Sequence, residues 1–349
     1  MTAAPTRLPT TRAVEWTARG ELRLVDLPAP QAEQPGDLVI EVRAAHFGAA
    51  LRRAVTIGHP KIRPPRVLGS LVAGVVTDAG GDAPAQPGDR VVVDPHPPCG
   101  TCDTCARGLQ ALCPHTAPPE PGGLARTVRV RTSPAAVAVL PDTLPFATAV
   151  HAELLACVLE ALDRGRVREG DDVVVLGTGA LALMAVQASR RAGARRVTCV
   201  ARRPERAALA ERLGATAVLG ARLAVLTDEE VPKAPVVLEM SGDPAALATA
   251  FRLAAPGARI VAFSGYPPGT TVPLPVNQLH YEGLRLVGSY HYAPGRFGRA
   301  VDLLASGEVT LDGILTHRLG LADAPRAPAV SADPHCVSLV IEPHIEPHT

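Results

Sequence analysis

Four of the chain's seven cysteines lie within fifteen residues, in CGTCDTCARGLQALC. Cys99, Cys102, Cys105 and Cys113 are separated by two, two and seven residues. Three thiolates on tight turns, with a fourth a short loop later, can close a tetrahedron around Zn²⁺. In a reducing compartment, clustered cysteines serve as metal ligands more often than as disulfides. The competing reading is a redox-active C-x-x-C, but no βαβ pattern flanks these residues. Four thiolates would leave no open position for water or substrate. One structural zinc is therefore expected, stapling a lobe at 95–115 rather than catalysing.

A second motif carries chemistry of another kind. Gly177-Thr178-Gly179-Ala180-Leu181-Ala182 fits G-x-G-x-x-G/A. It follows the apolar run VVVL and opens a helical pattern, the context that makes this fingerprint specific for a dinucleotide. Gly177 allows the tight turn, Gly179 lets the backbone approach a pyrophosphate, and Ala182 keeps helix and strand close. The phosphates would meet the free N–H groups of a helix N-terminus. An ordinary βα turn is the alternative. The next strand, RVTCVA, ends on Ala201, followed by Arg202 and Arg203. An NAD site usually carries an acid there for the ribose 2′-OH. Its absence, with two guanidiniums able to grip a 2′-phosphate, points to NADP(H); a solvated arginine pair is the alternative. Ser241, Ser264 and Gly265 are counted with the coenzyme site.

These motifs need elements to hold them. DLVIEVRAAHF (37–47), LVAGVVTDA (71–79), DRVVVDP (89–95) and ARTVRVR (125–131) read as short strands bounded by turns, an antiparallel barrel-like domain. From about residue 150 the pattern becomes alternating strands and helices, which implies a doubly wound parallel sheet. The expected fold is α/β. Residues 1–148 and 291–349 form the β domain and 149–290 the coenzyme domain.

The chain has 349 residues, a hydrophobic fraction of 47% and a formal net charge of +1. That balance argues against nucleic acid as a partner. No apolar run reaches the roughly 20 residues of a membrane helix, and MTAAPTRLPTTRAVEW has no secretory h-region. A soluble cytoplasmic protein acting on a small molecule is expected.

The motifs resemble the medium-chain dehydrogenase/reductase superfamily, in its zinc-containing alcohol, sorbitol and threonine dehydrogenase branch. GDRVVVDPHPPCGTCDTCARGLQALCP is similar to that branch's structural zinc lobe. VREGDDVVVLGTGALALMAVQASRRAGARRVTCV is similar to its coenzyme domain, and PGARIVAFSG and LRLVGSYHY to its later strands. The resemblance implies a GroES-like β-barrel catalytic domain plus a Rossmann domain, an active site in the cleft between them, and a homodimer or homotetramer.

The sequence departs from the family where a catalytic zinc would bind. The family's cysteine position falls on Gly48, its proton-relay hydroxyl on Ala50, and its G-H-E positions on Ser70 and Leu71. One surviving carboxylate, Glu153, cannot hold a catalytic zinc, which wants three protein ligands; Cys157 falls one residue off another family ligand position. Candidate groups near the emptied site are His46, Ser70, Glu153 and His59. His46 lies two residues from Gly48, on the same strand face; at an ordinary imidazole pKa of about 6.5 it could supply a proton. His151, His291, Tyr290 and Tyr292 are weaker candidates, and His335, His344 and His348 read as a solvated tail.

The leading expectation is an NADPH-dependent enzyme that passes hydride to an activated C=C, C=N (iminium) or C=O without a catalytic zinc. The alternatives are a polyol or sugar-ring dehydrogenase using acid–base side chains, and a non-catalytic dinucleotide-binding sensor or scaffold.

Overall fold

The computed structural model describes residues 9–59, 62–115, 121–131, 137–220 and 231–345. It divides into two compact units. The first holds residues 1–109, 113–153 and 315–349; the second holds 110–112 and 154–314.

The first unit opens with β1 (Thr10–Ala18), β2 (Glu21–Pro28) and β3 (Asp37–His46), then α1 (Ala49–Thr56). β4 (Arg66–Val67), β5 (Val72–Ala79) and β6 (Arg90–Val93) follow, then α2 (Asp103–Ala106), β7 (Thr127–Arg131), β8 (Val137–Val139) and α3 (Phe146–Ala149). The second unit contributes α4 (Ala152–Arg164), which starts just before its boundary, and then β9 (Asp172–Leu176), α5 (Ala180–Arg191), β10 (Arg196–Ala201), α6 (Pro204–Arg212) and β11 (Thr216–Leu219). It continues with β12 (Ala234–Glu239), α7 (Pro244–Arg252), β13 (Ala254–Ala262), α8 (Val276–Tyr281), β14 (Arg285–Gly288) and α9 (Arg296–Ala305). The chain then returns to the first unit as β15 (Leu315–Gly320), α10 (Ala327–Val330) and β16 (Ser338–Glu342).

In the first unit one sheet runs β15-β16-β3-β5-β6-β8, with β7 also on β3; a smaller sheet runs β2-β1-β4. This is the GroES-like β architecture. Its core gathers Val14, Trp16, Leu38, Ile40, Phe47, Leu124 and Ile341. Each fully buried side chain of this size contributes about 1.5–3 kcal/mol over leaving it exposed. β3 is the central strand. Antiparallel β16 flanks its C-terminal end on one side, with Val340 opposite His46; antiparallel β5 flanks it on the other, with Val72 opposite Ala45.

The second unit is a six-stranded sheet in the order β11-β10-β9-β12-β13-β14, with every pairing parallel. All five residues of β9 are buried, as a parallel strand covered on both faces must be. The strand order winds outward in opposite senses from β9 and from β12. Between them is the switch point where doubly wound sheets bind their ligands.

One boundary differs from the sequence expectation. Residues 291–314 do not go back to the β domain but stay with the coenzyme unit. The cause is the apolar face of α9, on which Phe297, Ala300, Val301, Leu303 and Leu304 are buried. The Gln187 amide then clamps the following turn, donating to Thr310 O at 3.0 Å and accepting from Thr310 N at 2.9 Å. The crossings fall at Glu153/Leu154 and Ile314/Leu315.

Candidate functional site

The four clustered cysteines come together around the short helix α2. Cys99 Sγ lies 4.0 Å from Cys105 Sγ, and Cys102 Sγ lies 3.9 Å from Cys113 Sγ. All four sulfurs are within 4.8 Å of one another. Zn–S bonds of about 2.3 Å in a tetrahedron set sulfurs about 3.8 Å apart, so the quartet fits a zinc ion with little movement. The Cys99 N–H donates to Cys113 Sγ at 3.4 Å, tying the two ends of the lobe. Backbone N–H groups of Thr101 and Cys102 hold the Cys99 thiol down at about 6, a ready thiolate. Burial pushes Cys105 up to about 12, and bound metal would have to displace its proton.

At the switch point the glycine turn has the form a dinucleotide needs. Gly177 has φ +127°, and a β-carbon there would stand 2.9 Å from Met240 O. Gly179 caps α5, and no atom lies within 4 Å of where its β-carbon would be. The cap carries no side-chain hydrogen bond and the first turn no acidic residue. That leaves room and free N–H groups for a pyrophosphate beside Thr178, Ala180 and Leu181. Ala182 is fully buried. Ala201 is also fully buried, and Arg202 and Arg203 are exposed at the end of β10.

Behind this turn lies a network that sequence reasoning missed. Glu239 is fully buried at the end of β12. Its Oε1 accepts from Ser241 N and Ser241 Oγ, both at 2.7 Å, and from Gly242 N at 3.0 Å. Its Oε2 accepts from the Tyr266 hydroxyl at 2.6 Å. Burial and the Glu239 carboxylate push the Tyr266 phenol well above its ordinary value, so it stays a donor. The Ser241 hydroxyl is thus turned inward, while Ser264 Oγ accepts from Gly242 N at 2.9 Å. Gly265 is exposed beside Ser264. The only sequence signal was the acid closing a buried strand in LEMSG.

His46 ends β3, 8% exposed. Its backbone N–H donates to Leu71 O at 3.2 Å, which sets Ser70 and Leu71 alongside residues 46–48. A β-carbon on Gly48 would stand 2.5 Å from His46 Cε1 and 3.1 Å from Nδ1. The imidazole therefore fills the space a side chain at 48 would use. Edge-on to it, with centroids 5.1 Å apart, lies the ring of His151. His151 Nδ1 donates to Ala147 O at 3.0 Å, because a carbonyl can only accept; its Nε2 then accepts from the Ser338 hydroxyl at 2.7 Å. Burial holds His151 down at about 4, so the ring is neutral at pH 7 and this tautomer satisfies both partners.

Burial, with a smaller contribution from His151, pushes His46 down to about 3. An ordinary imidazole at this position is therefore not what the structure contains. At neutral pH His46 is uncharged, and imidazolium proton donation from it is corrected to neutral imidazole chemistry. No hydrogen bond joins it to Ser70 or Glu153 among the described residues.

Glu153 is 8% exposed in the first turn of α4. A carboxylate oxygen of Glu153 lies within 4.8 Å of a ring nitrogen of His96. The sequence reading missed His96; its amide donates to Asp94 Oδ1 at 2.9 Å, in the tight turn before the cysteine lobe. Other candidates go elsewhere. His59 is exposed, its Nδ1 accepting from Ile62 N at 3.1 Å. His344 is not part of a free tail, since its Nε2 is 3.2 Å from Glu41 Oε1. His348 lies outside the described residues.

A parallel sheet in this order with a glycine turn at its switch point, together with a GroES-like unit, defines a nicotinamide-dependent oxidoreductase. Two family descriptions match the chain: an alcohol dehydrogenase GroES-like domain over residues 34–142 and a zinc-binding dehydrogenase domain over residues 180–306. Sorbitol dehydrogenase of Bacillus subtilis (strain 168) is 26% identical over 340 residues, covering 93% of this chain and 95% of that protein. L-threonine 3-dehydrogenase of Bacillus velezensis is 29% identical over 346 residues, covering 92% and 95%. A solved structure from Sinorhizobium meliloti 1021, described as a zinc-binding dehydrogenase bound to NADP, has a TM-score of 0.89 at 28% identity and covers 96% of this chain and 100% of that one. The chain belongs to the medium-chain dehydrogenase/reductase superfamily, with the zinc-type alcohol, sorbitol and threonine dehydrogenases. No helix among the described residues is long and apolar enough to cross a membrane.

Proposed function

We propose that this chain is an NADPH-dependent reductase that passes hydride to an activated C=C, C=N or C=O of a small molecule without a catalytic zinc. One observation carries the reading: the His46 ring occupies the side-chain space of residue 48, 2.5 Å from where a β-carbon would stand. No ligand atom can project from that position, and Ser70 and Leu71 offer no strong replacement. Without a Lewis acid, an electrophilic acceptor is needed. The zinc we place on Cys99, Cys102, Cys105 and Cys113 is structural, with no open position for substrate.

NADPH is favoured by exposed Arg202 and Arg203 after a buried Ala201; the Sinorhizobium meliloti relative binds NADP. A homodimer or homotetramer is supported by β14, an edge strand with Leu286 42% exposed. The thiol quartet suits the reducing cytoplasm.

A second reading, oxidation of a polyol or sugar-ring alcohol, draws on the names of the relatives and on the His96–Glu153 pair, which could move a proton.

The test is steady-state oxidation of NADPH and of NADH with activated acceptors, in the native chain and in Arg202→Ala/Arg203→Ala. Each guanidinium–phosphate contact is worth about 1.5–3 kcal/mol. The double variant should raise KM for NADPH at least about tenfold and leave KM for NADH unchanged. Equal affinity of the native chain for both coenzymes would show the arginines to be merely solvated.

A further inference from the structure

The end of β3 presents an imidazole where a side chain from residue 48 would stand. The Cε1 edge of His46, flanked by both ring nitrogens, points into that space. Those nitrogens have no hydrogen-bond partner among the described residues, although the side chain is 8% exposed. An imidazole that is nearly buried and still unpaired has hydrogen-bonding capacity left for a ligand.

The surroundings decide which capacity. Beside it lie Leu71, just ahead of β5, and Val72 at the start of β5; on β16 the neighbours are Leu339 and Val340. The one titratable group acting on it is His151, whose own burial keeps it neutral against the opposing effect of its bond to Ala147 O. Apolar walls and a neutral neighbour give an imidazolium nothing to pair with, whereas a neutral ring keeps one N–H donor. Such a ring can polarise a carbonyl as an electrophile without titrating.

We infer that His46 is a catalytic residue that donates its N–H, as a neutral imidazole, to the oxygen of a carbonyl substrate. The inference rests on the reductase reading above and narrows it to carbonyl-bearing acceptors: ketones, aldehydes and enones. An iminium has no lone pair to receive the hydrogen bond and carries a positive charge that repels it. Bound NADPH would supply a hydride, with its electron pair, to the electrophilic carbon and would itself be oxidised. The C=O π pair moves to oxygen, where the His46 N–H holds the developing charge. Water then delivers the proton that completes the alcohol, and His46 keeps its own.

The test uses the full chain with NADPH and two probes, 2,3-butanedione and the cyclic imine 1-pyrroline, alongside ¹⁵N NMR of the histidine rings. His46→Gln keeps an N–H donor that cannot titrate; it should retain kcat for the dione within about tenfold. Removing a donor to a developing oxyanion costs about 10²–10³ in kcat, so His46→Leu should lose at least a hundredfold, with NADPH affinity by fluorescence titration unchanged. Should His46→Leu fold poorly, Gly48→Ala displaces the same ring and should show the same loss. The His46 ring should stay neutral from pH 5 to 8. Titration of His46 inside that window, His46→Gln as inactive as His46→Leu, or turnover of 1-pyrroline in preference to the dione would each overturn the inference and leave the reductase reading standing. Hydride transfer to neither probe overturns the reductase reading itself.

Discussion

The His46 imidazole and any side chain on residue 48 exclude each other: a β-carbon added to Gly48 would lie 2.5 Å from His46 Cε1. Real carbon–carbon contacts do not come so close, so one of the two must move. Gly48→Ala is therefore expected to swing the ring out of place. Turnover should fall by about 10²-fold, the loss of one transition-state hydrogen bond, while the melting temperature changes by only a few degrees. Crystallography of the variant would show the ring displaced; an unmoved ring with unchanged turnover would contradict it.

The thiol quartet predicts a folding defect rather than a rate defect. Cys105 is the buried member of the set. Replacing it by serine should release the metal and unravel the lobe around α2, since metal binding and folding are linked there. Limited proteolysis should cut within 95–115 in Cys105→Ser and spare the native chain.

The two buried histidines give a pH dependence whose sign follows from linkage. His46 and His151 fall from 6.5 to about 3 and about 4 in the folded chain. Between those values and 6.5 the unfolded chain binds protons that the folded chain refuses. Stability therefore rises with pH through that window and is lost on acidification below about 6.5. Thermal melts from pH 7.5 to 4.5 should show a falling midpoint. His151→Gln, which cannot charge, should flatten the fall.

Tyr266 and Glu239 hold the turn that Gly177 leans on. Tyr266→Phe removes one hydrogen bond to a fully buried carboxylate, worth about 1.5–3 kcal/mol. Coenzyme affinity measured by fluorescence titration should weaken about threefold to thirtyfold, with kcat changing less. A change in kcat alone would place Tyr266 elsewhere in the mechanism.

What the sequence disclosed depended on distance along the chain. The cysteine lobe and the glycine turn were legible because their residues are consecutive or nearly so, and local spacing sets their geometry. The nearness of His46 to Gly48 followed from strand period, but that the ring would fill the position did not; that depends on the two flanking strands. The His151–Ser338 bond joins residues 187 apart, and only the placement of β16 against β3 creates it. Residues 291–314 were misplaced because the α9 pattern says that a face is buried, not against which unit.

Metal content measured together with turnover tests metal-free hydride transfer most directly. Mild chelation that spares the thiol quartet should leave one zinc per chain and full NADPH-dependent turnover of 2,3-butanedione. A second metal per chain, with turnover lost on its removal and restored on its return, would contradict it.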